Sequence, residues 1–248
     1  MSWYAYCITE QEAWIGPARA RRPFPLEGLK GIHQHQVFAY PCGEFAVIVS
    51  EPGTQQELTQ VSMREHGAVI GECFQRTTVL PFRFGTLFED DEALRRAVRS
   101  NRRSFAETVE RLRGKAEMHI RLTIRDGSLK EAMTDIQLPN SVGDAYLKQL
   151  REKASRHRER QTRARALSMQ VHKLLSPLAE EVMCRRAHTG DMELDIAHLI
   201  DHKSLEKYQS RWTSAQQHLK NYGLSMSGPW PPYHFIADKN AEKKQERA

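Results

Sequence analysis

A long helical pattern, which begins near Val142 and runs to about Arg186, constrains the fold of this chain more than any other feature. Its apolar stripe falls on Leu147, Leu150, Ala154, Leu167, Val171, Leu174, Leu178 and Val182. In the middle of the pattern the same register falls on polar or small residues, so this stretch has no apolar face to bury. We therefore expect it to project into solvent, and we expect a kink or a new helix at Pro177.

The same stretch carries the surplus positive charge of the chain. Residues 148–165 hold eight Lys or Arg and two Glu, a net charge of +6, which equals the formal net charge of the whole sequence. Clustered Arg and Lys can bind an acidic partner, protein or nucleic acid, although a solvated basic face is the simpler interpretation. The expected contacts to such a partner are Arg151, Arg156, Arg158, Arg160 and Arg163.

The composition indicates a folded protein with a packed core. Hydrophobic residues make up 40% and charged residues 27% of the 248 residues, which argues against wholesale disorder. The sequence shows no signal peptide, and no apolar run approaches the roughly 18 residues of a membrane span. We expect a soluble, cytoplasmic protein that does not enter a membrane. Its cysteines form no C-x-x-C pair and are expected to be buried free thiols: Cys7, Cys42, Cys73 and Cys184.

Strand patterns open the chain. Residues 2–9 predict a strand, and residues 35–40 and 44–51 predict a hairpin that turns around Gly43. Residues 18–28 are basic and contain prolines, which indicates a loop. The first domain therefore begins as an antiparallel sheet.

Two helices and a further strand follow. The first helix is predicted to be capped by Thr54, and its apolar face comprises Met63, His66, Ile70 and Cys73. Residues 77–88 alternate as in a strand, and Pro81 favours an edge strand or a strand end. The second helix is predicted to begin at a cap on Asp90 or Asp91 and to end at Gly114.

After Gly114, strand and helix patterns again alternate along the chain. Strands are predicted at 117–124, 192–200 and 224–227, with the long helix after the first of them and a regular helix over 205–222 before the last. This order resembles a split β-α-β arrangement of the ferredoxin type.

We therefore predict an α+β fold of two domains. Residues 1–113 form an N-terminal α+β domain, and residues 114–236 form a modified ferredoxin-like domain with a long helix. Residues 237–248 are polar and of mixed charge, which predicts a disordered tail.

No residue pattern assembles a catalytic, cofactor or metal site. His66 is predicted to be a hydrogen-bonded core histidine, and Cys73 lies two helical turns away, about 10 Å, which is too far for proton transfer. His33 and His35 supply at most two metal ligands. An enzyme would need a pocket with convergent polar groups around His66 or His119. We predict a protein that is not an enzyme and that binds neither cofactor nor metal.

The segment GPWPPYHF at 228–235 is unusually stiff and aromatic. Prolines fix φ and hold the segment in an extended path. Three large rings left in water would form a sticky patch. We therefore expect a strap whose rings, Trp230, Tyr233 and Phe235, insert into a groove of the chain's own core. The alternative is a P-x-x-P ligand that is offered to a partner.

These segments resemble the GvpL/GvpF family of gas vesicle accessory proteins. The C-terminal G-P-W-P-P-Y-x-F and the V-L-P-F-R-F-G-T-L-F at 79–88 are similar to blocks of that family, and Gly114-Lys115-x-Glu117 also matches. The likeness covers roughly residues 3–236, except for the basic stretch at 148–165. The resemblance implies a structural or interaction role for Pro81, Arg83, Phe84, Gly85, Gly228, Pro229, Trp230, Pro231, Pro232, Tyr233 and Phe235.

The resemblance implies a non-enzymatic role in building gas vesicles, which are gas-filled protein shells with a small, very hydrophobic main subunit. It implies an assembly or structural accessory protein that binds this shell subunit, with other gas vesicle accessory proteins as further partners. The alternative is an RNA-binding ferredoxin-like module that acts through residues 148–165. Base stacking disfavours it, because the strands predicted at 117–124 and 192–200 contain no aromatic residues.

Overall fold

The computed structural model describes seven stretches of the chain: residues 1–14, 22–53, 59–124, 142–175, 179–185, 192–219 and 222–236. Two compact units emerge, Met1–Glu117 together with the segment from Pro229 onward, and Met118–Gly228. The sequence prediction placed the boundary four residues earlier, at 113/114, and kept the strap with the second domain. The tail predicted at 237–248 lies outside the described residues.

The first unit is built on one antiparallel sheet. Its described strands are β1 (Trp3–Glu10), β2 (Phe24–Lys30), β3 (Gln36–Cys42), β4 (Phe45–Ser50), β5 (Val79–Pro81) and β6 (Leu87–Phe88). They lie in the order β2-β3-β4-β1-β5, and β6 also pairs with β1. β1 pairs with β4, β5 and β6. It therefore joins the strands that precede α1 to the strands that follow it.

The hairpin of β3 and β4 is confirmed, with Cys42 opposite Phe45 across the turn. The loop predicted over 18–28 is wrong for its second half, which forms β2. Pro25 is tolerated there because β2 is an edge strand, where one side of the backbone needs no ladder partner. Residues 15–21 lie outside the described part of the chain.

The helices of the first unit are α1 (Gln60–Phe74), α2 (Asp91–Ser100) and α3 (Arg102–Leu112). α1 begins at a capping box in which the Thr59 hydroxyl accepts from the Ser62 backbone N–H at 3.1 Å and the Ser62 hydroxyl accepts from the Thr59 N–H at 2.9 Å. The predicted cap at Thr54 lies outside the described residues. The Asp90 cap is confirmed, because its carboxylate accepts from the Ala93 N–H at 2.7 Å.

The core of the first unit lies between the sheet and α1. Buried members include Tyr4, Tyr6, Cys7, Ile48, Val69, Ile70 and Cys73. Met63, predicted on the same helix face, is exposed instead, because the buried face of α1 runs through Ser62, His66 and Val69. The helix predicted to continue to Gly114 is two helices that break at Asn101, whose ψ of 10° is not helical.

In its described residues, the second unit contains most of a second sheet and two α-helices. Its elements are β7 (Lys115–Ile124), α4 (Val142–Leu175), β8 (Ala179–Arg185), β9 (Met192–Asp201), α5 (Leu205–His218) and β10 (Tyr222–Trp230). The strand order is β10-β7-β9-β8. The element order β-α-β-β-α-β is the one that defines the ferredoxin-like arrangement.

One strand of this sheet was missed by the sequence prediction, which continued the long helix to 186. α4 ends at Leu175, and Ala179–Arg185 is β8, paired antiparallel along β9 from Ala179–Ile200 to Arg185–Asp195. The ladder to β9 satisfies the backbone groups along one side of β8, and this pairing overrides the helical spacing of its apolar residues. Pro177 and Leu178 lie outside the described residues.

Among the side chains that the structure describes on α4, the buried ones lie in its C-terminal part. Leu167, Val171 and Leu175 are buried against the Tyr208 and Trp212 face of α5, whereas Leu147 and Leu150 are 53% and 43% exposed. The first part of the predicted stripe is therefore not core. Among the described residues, no helix has the length and apolar character required to cross a membrane.

Candidate interaction surface

The segment 81–85 is fastened to the central strand β1. Pro81 lies opposite Cys7, and the Phe82 N–H donates to the Tyr6 carbonyl oxygen at 2.9 Å. Gly85, at a φ of 87° that favours glycine, donates its N–H to the Tyr4 hydroxyl oxygen at 3.1 Å. These bonds fix a surface loop to the core.

His66 lies directly beneath this loop. The Tyr4 hydroxyl lies 2.9 Å from His66 Nδ1, and this hydrogen bond leaves the other ring nitrogen for a second partner. The remaining ring N–H then serves the hydrogen bond to the Phe82 backbone. Burial lowers the pKa of His66 to about 4, against the opposing effect of that backbone bond. The predicted hydrogen-bonded core histidine is confirmed.

Aromatic rings enclose His66 on several sides. Tyr6 stacks on it at 5.4 Å between ring centroids, and Phe84 and Tyr4 meet it edge-on at 5.5 and 5.6 Å. With 5% of its surface exposed, the imidazole is held neutral and out of reach of an external substrate.

The strap takes a different course from the predicted one. Pro231, Pro232 and Phe235 are buried, but Trp230 is 48% and Tyr233 is 42% exposed. The prediction that all three rings insert into the core is therefore wrong for two of them. The strap is anchored through its prolines and Phe235, and it carries Trp230 and Tyr233 at the surface.

Hydrogen bonds from Glu117 and Arg111 hold the strap in position. The Glu117 carboxylate, 1% exposed, accepts from the His234 backbone N–H at 2.9 Å and from His234 Nδ1 at 2.6 Å. Arg111 donates to the Phe235 carbonyl oxygen. A buried carboxylate is costly unless it is bonded in this way, so Glu117 fixes the position of the strap as well as its own.

Glu117, Arg111 and His234 were not singled out as fastenings from the sequence. Glu117 is separated from His234 by 117 positions, and alternation along a strand cannot reveal a carboxylate that is buried by a distant segment. The only signal was the match of Gly114-Lys115-x-Glu117 to the family pattern.

Cys7 on β1 lies close enough to Tyr233 of the strap to affect the pKa of its hydroxyl. Burial raises the pKa of the Tyr233 hydroxyl to about 12, and the neighbouring Cys7 and Glu117 groups add to the rise. Cys7 is also the partner of Pro81 in the pairing of β1 with β5. We call Trp230 and Tyr233 the strap surface. Gly228 precedes it with a φ of 127°, a conformation that side chains rarely allow.

The other predicted site residues lie apart. Arg83 has an exposed side chain, and its carbonyl oxygen accepts from the Thr86 hydroxyl at 2.6 Å. Arg151 and Arg158 are exposed on α4, whereas the side chains of Arg156, Arg160 and Arg163 lie outside the described residues.

The remaining polar candidates have structural partners. His35 Nδ1 bonds the Glu51 carbonyl oxygen at 2.8 Å, and His119 lies 3.7 Å from the Asp195 carboxylate in the second unit. Cys7, Cys42 and Cys73 are free thiols as predicted, with Cys42 only half-buried. The side chain of Cys184 lies outside the described residues.

The first unit also has a groove of about 600 Å³ beside the edge strand β2. Trp14, Phe24, Leu26 and Leu29 contribute to its walls, and the Arg76 guanidinium lies 5.1 Å above the Trp14 ring. Its lining also includes the charged residues Glu27, Glu72 and Arg76, so apolar and polar surface contribute about equally.

Comparison with known proteins gives consistent matches over nearly the whole chain. The family model described as gas vesicle synthesis protein GvpL/GvpF matches residues 2–237. Gas vesicle protein L of Streptomyces sp. is 27% identical over 195 residues, which cover 74% of this chain and 72% of that protein. Gas vesicle protein F1 of Halobacterium salinarum is 21% identical over 243 residues, 94% of this chain and 92% of its own.

Solved structures match the fold. The crystal structure of gas vesicle protein GvpF from Anabaena sp. is similar with a TM-score of 0.73 at 19% identity, covering 96% of this chain and 97% of that one. GvpF from Microcystis aeruginosa is similar with a TM-score of 0.70 at 20% identity, covering 96% and 99%. The predicted α+β fold class is confirmed.

Proposed function

Since the chain belongs to the GvpL/GvpF family of gas vesicle synthesis proteins, we propose that it is an accessory protein of gas vesicle assembly that binds the small hydrophobic subunit of the vesicle shell. It acts by binding and catalyses no reaction. It works in the cytoplasm in association with gas vesicles, and other gas vesicle accessory proteins are further partners.

The strap surface is the observation that carries this proposal. Glu117, Arg111 and the buried prolines hold the strap in one place, yet Trp230 and Tyr233 are left about half exposed. Exposed aromatic side chains on a fixed backbone lose little conformational entropy when a partner covers them. Such a surface suits an apolar partner.

Covering the strap surface should contribute several kcal/mol to the free energy of binding. Covering the exposed parts of two large aromatic residues removes on the order of 200 Å² of mostly apolar surface from water. At about 25 cal/mol per Å², this contributes about 5 kcal/mol before the cost of association is subtracted. The strap surface can thus be the centre of an interface.

The surroundings of His66 support a structural role for this residue rather than a catalytic one. His66 is enclosed by rings and held neutral, and both of its nitrogens are used in hydrogen bonds. A general base needs contact with the proton that it abstracts, and His66 offers no such contact.

Co-purification tests the proposal. The protein and a tagged shell subunit are produced together and captured, with and without about 1 M salt, which screens ionic contacts. We expect capture under both conditions, because an apolar interface resists screening. The variant that combines Trp230→Ala and Tyr233→Ala should lose most of the captured protein.

A matched control removes exposed apolar surface elsewhere in the same unit. Val61 and Met63 are exposed on α1, and a variant with both changed to Ala should be captured like the wild type. If wild-type protein is not captured at either salt concentration, shell-subunit binding is wrong. If the Trp230/Tyr233 variant is captured as well as the wild type, binding occurs through another surface.

A further inference from the structure

The projecting segment of α4, residues 147–162, offers a second surface of a different kind. α4 has 34 residues, a length of about 50 Å. Its packed residues begin at Leu167. Before that point, the side chains that the structure describes on this segment are exposed: Leu147, Lys148, Gln149, Leu150, Arg151, Glu152, Lys153, Ala154, Ser155, Arg158, Glu159 and Thr162.

Apolar residues of this segment share one face. Leu147, Leu150 and Ala154 are spaced by three and four positions, which is the a-d-a spacing of a coiled-coil seam. Leucines at 53% and 43% exposure in such a row are not covered by the chain's own described residues. The row has the form of a helix-packing seam without its partner helix.

Charges are sorted around this seam. With Leu147 at position a, Arg151, Lys153 and Arg158 occupy the flanking e and g positions, whereas Glu152 and Glu159 occupy f, on the far side. Glu159 accepts a hydrogen bond from Ser155 at 3.2 Å on that far side. No carboxylate of the described residues lies within ion-pair distance of the three flanking cations.

This arrangement selects against a second copy of the chain. In a parallel pair, the g cations of one helix would face the e cations of the other, and in an antiparallel pair e would face e and g would face g. Either arrangement places like charges together. A helix with an apolar stripe and acidic flanks would satisfy both the leucines and the cations.

We propose that the projecting segment docks an amphipathic helix of an acidic partner protein, with Leu147, Leu150 and Ala154 in the seam and Arg151, Lys153 and Arg158 paired to its carboxylates. Nucleic acid is the rival ligand, but phosphate binding gives no use to the exposed leucines. The proposal does not depend on binding of the shell subunit, because it concerns a different unit of the molecule.

Binding of model peptides to the full-length protein tests it. The probe is a labelled peptide of three heptads with Leu at a and d and Glu at e and g, followed by fluorescence anisotropy. Two matched peptides serve as controls: one has Lys in place of each Glu, and one has the acidic composition with the leucines out of register. We expect the acidic amphipathic peptide to bind at least about tenfold more tightly than either control, and to weaken between about 50 and 500 mM salt.

Charge reversal gives the decisive variants. The triple variant Arg151→Glu, Lys153→Glu and Arg158→Glu should bind the acidic peptide about tenfold more weakly and gain affinity for the Lys peptide. The variant that combines Leu147→Ser and Leu150→Ser should bind both amphipathic peptides more weakly. A control that reverses three exposed cations elsewhere, Arg96, Lys203 and Lys207, should leave the preference unchanged.

Two results would overturn the proposal. One is equal binding of the acidic and basic amphipathic peptides, or binding that the triple reversal does not change. The other is tighter binding of a single-stranded RNA of about 20 nucleotides, abolished by the triple reversal and indifferent to Leu147→Ser with Leu150→Ser, which would assign the segment to nucleic acid.

Discussion

Each unit of the molecule buries one histidine against one tyrosine, but the two pairs are completed differently. In the first unit, His66 Nδ1 lies 2.9 Å from the Tyr4 hydroxyl, and the other ring nitrogen serves the Phe82 backbone. In the second unit, His198 Nδ1 lies 2.7 Å from the Tyr208 hydroxyl, and Nε2 has no partner among the described residues. One imidazole is fully bonded, and the other is half bonded.

The difference separates two uses of a buried histidine. Tyr4 is hydrogen-bonded to Gly85 and His66 to the Phe82 backbone, both in the 81–85 loop. The pair therefore positions a surface segment. Within the described part of the chain, the hydrogen bond of His198 goes to a tyrosine of the adjacent helix, and the ring of His172 lies 6.0 Å away. A buried polar group whose hydrogen bonds are all satisfied can fix the position of the groups that it bonds. A buried polar group that is only partly satisfied lowers the stability of the fold.

Lowering the pH should produce the largest change in the free energy of unfolding, and it should do so in both units. Burial lowers the pKa of His66 to about 4; burial and then the neighbouring His172 lower that of His198 to about 3. In the unfolded chain both are about 6.5. The folded state therefore excludes these protons, and its stability is complete above pH 6.5 and is lost as the pH falls toward the folded values.

Between pH 6.5 and 4.5, we expect each histidine to remove about 2 to 3 kcal/mol of unfolding free energy. Hydrogen exchange with mass spectrometry at the two pH values, resolved by unit, measures this. His66→Phe should flatten the pH dependence of the first unit only, and His198→Phe that of the second only. An unchanged slope in either variant would mean that the histidine already titrates in the folded protein.

The same two variants at neutral pH should distinguish the pairs. His66→Phe leaves the Tyr4 hydroxyl and the Phe82 carbonyl without their bonds, and we expect a loss of about 2 to 3 kcal/mol. His198→Phe removes an unsatisfied nitrogen together with one bond, so we expect a loss of about 1 kcal/mol or less. Urea unfolding at pH 7.5 measures both. A larger loss for His198→Phe would reverse the comparison.

Removing the tyrosine hydroxyls should give a smaller difference in the same direction. Tyr4→Phe deprives both Gly85 and His66 of a partner, whereas Tyr208→Phe deprives only His198. We expect losses of about 1 to 2 kcal/mol and about 1 kcal/mol. Exchange of the Gly85 amide should accelerate in Tyr4→Phe alone. Protection of that amide in the variant would show that the loop does not depend on the pair.

The smallest effect is expected at Arg83. Its side chain is exposed, and its role in the 81–85 turn is carried by the backbone carbonyl. Arg83→Ala should change the unfolding free energy by less than about 0.5 kcal/mol. A loss above about 1 kcal/mol in urea unfolding would assign this side chain a packing role that its exposure does not suggest.

Local signals in the sequence were sufficient for much of the fold. The β3–β4 hairpin, the Asp90 cap and the buried, hydrogen-bonded His66 follow from residues within one turn or one element. β8 was missed because its ladder to β9 is a non-local interaction that outweighs helical spacing. α1 is capped by Thr59, which offers the same capping chemistry as the predicted Thr54; Thr54 itself lies outside the described residues.

The candidate surface was predicted in its residues but not in its arrangement. The prolines and rings of the strap are visible in the sequence, and their stiffness follows from proline geometry. Which rings remain outside depends on Glu117 and Arg111, and the Glu117–His234 pair joins positions 117 residues apart. No local pattern encodes such a pairing, so the predicted burial of Trp230 and Tyr233 was wrong.

The most direct test of a fixed strap surface that binds the shell subunit is photo-crosslinking from positions 230 and 233. A photoreactive phenylalanine analogue is placed at Trp230, at Tyr233 or, as a control, at Met169, which is exposed on α4 of the second unit. The protein is produced together with the shell subunit. We predict crosslinks to the shell subunit from 230 and 233 and none from 169. Crosslinks that are absent at the strap, or equally strong from all three positions, would contradict the proposed function.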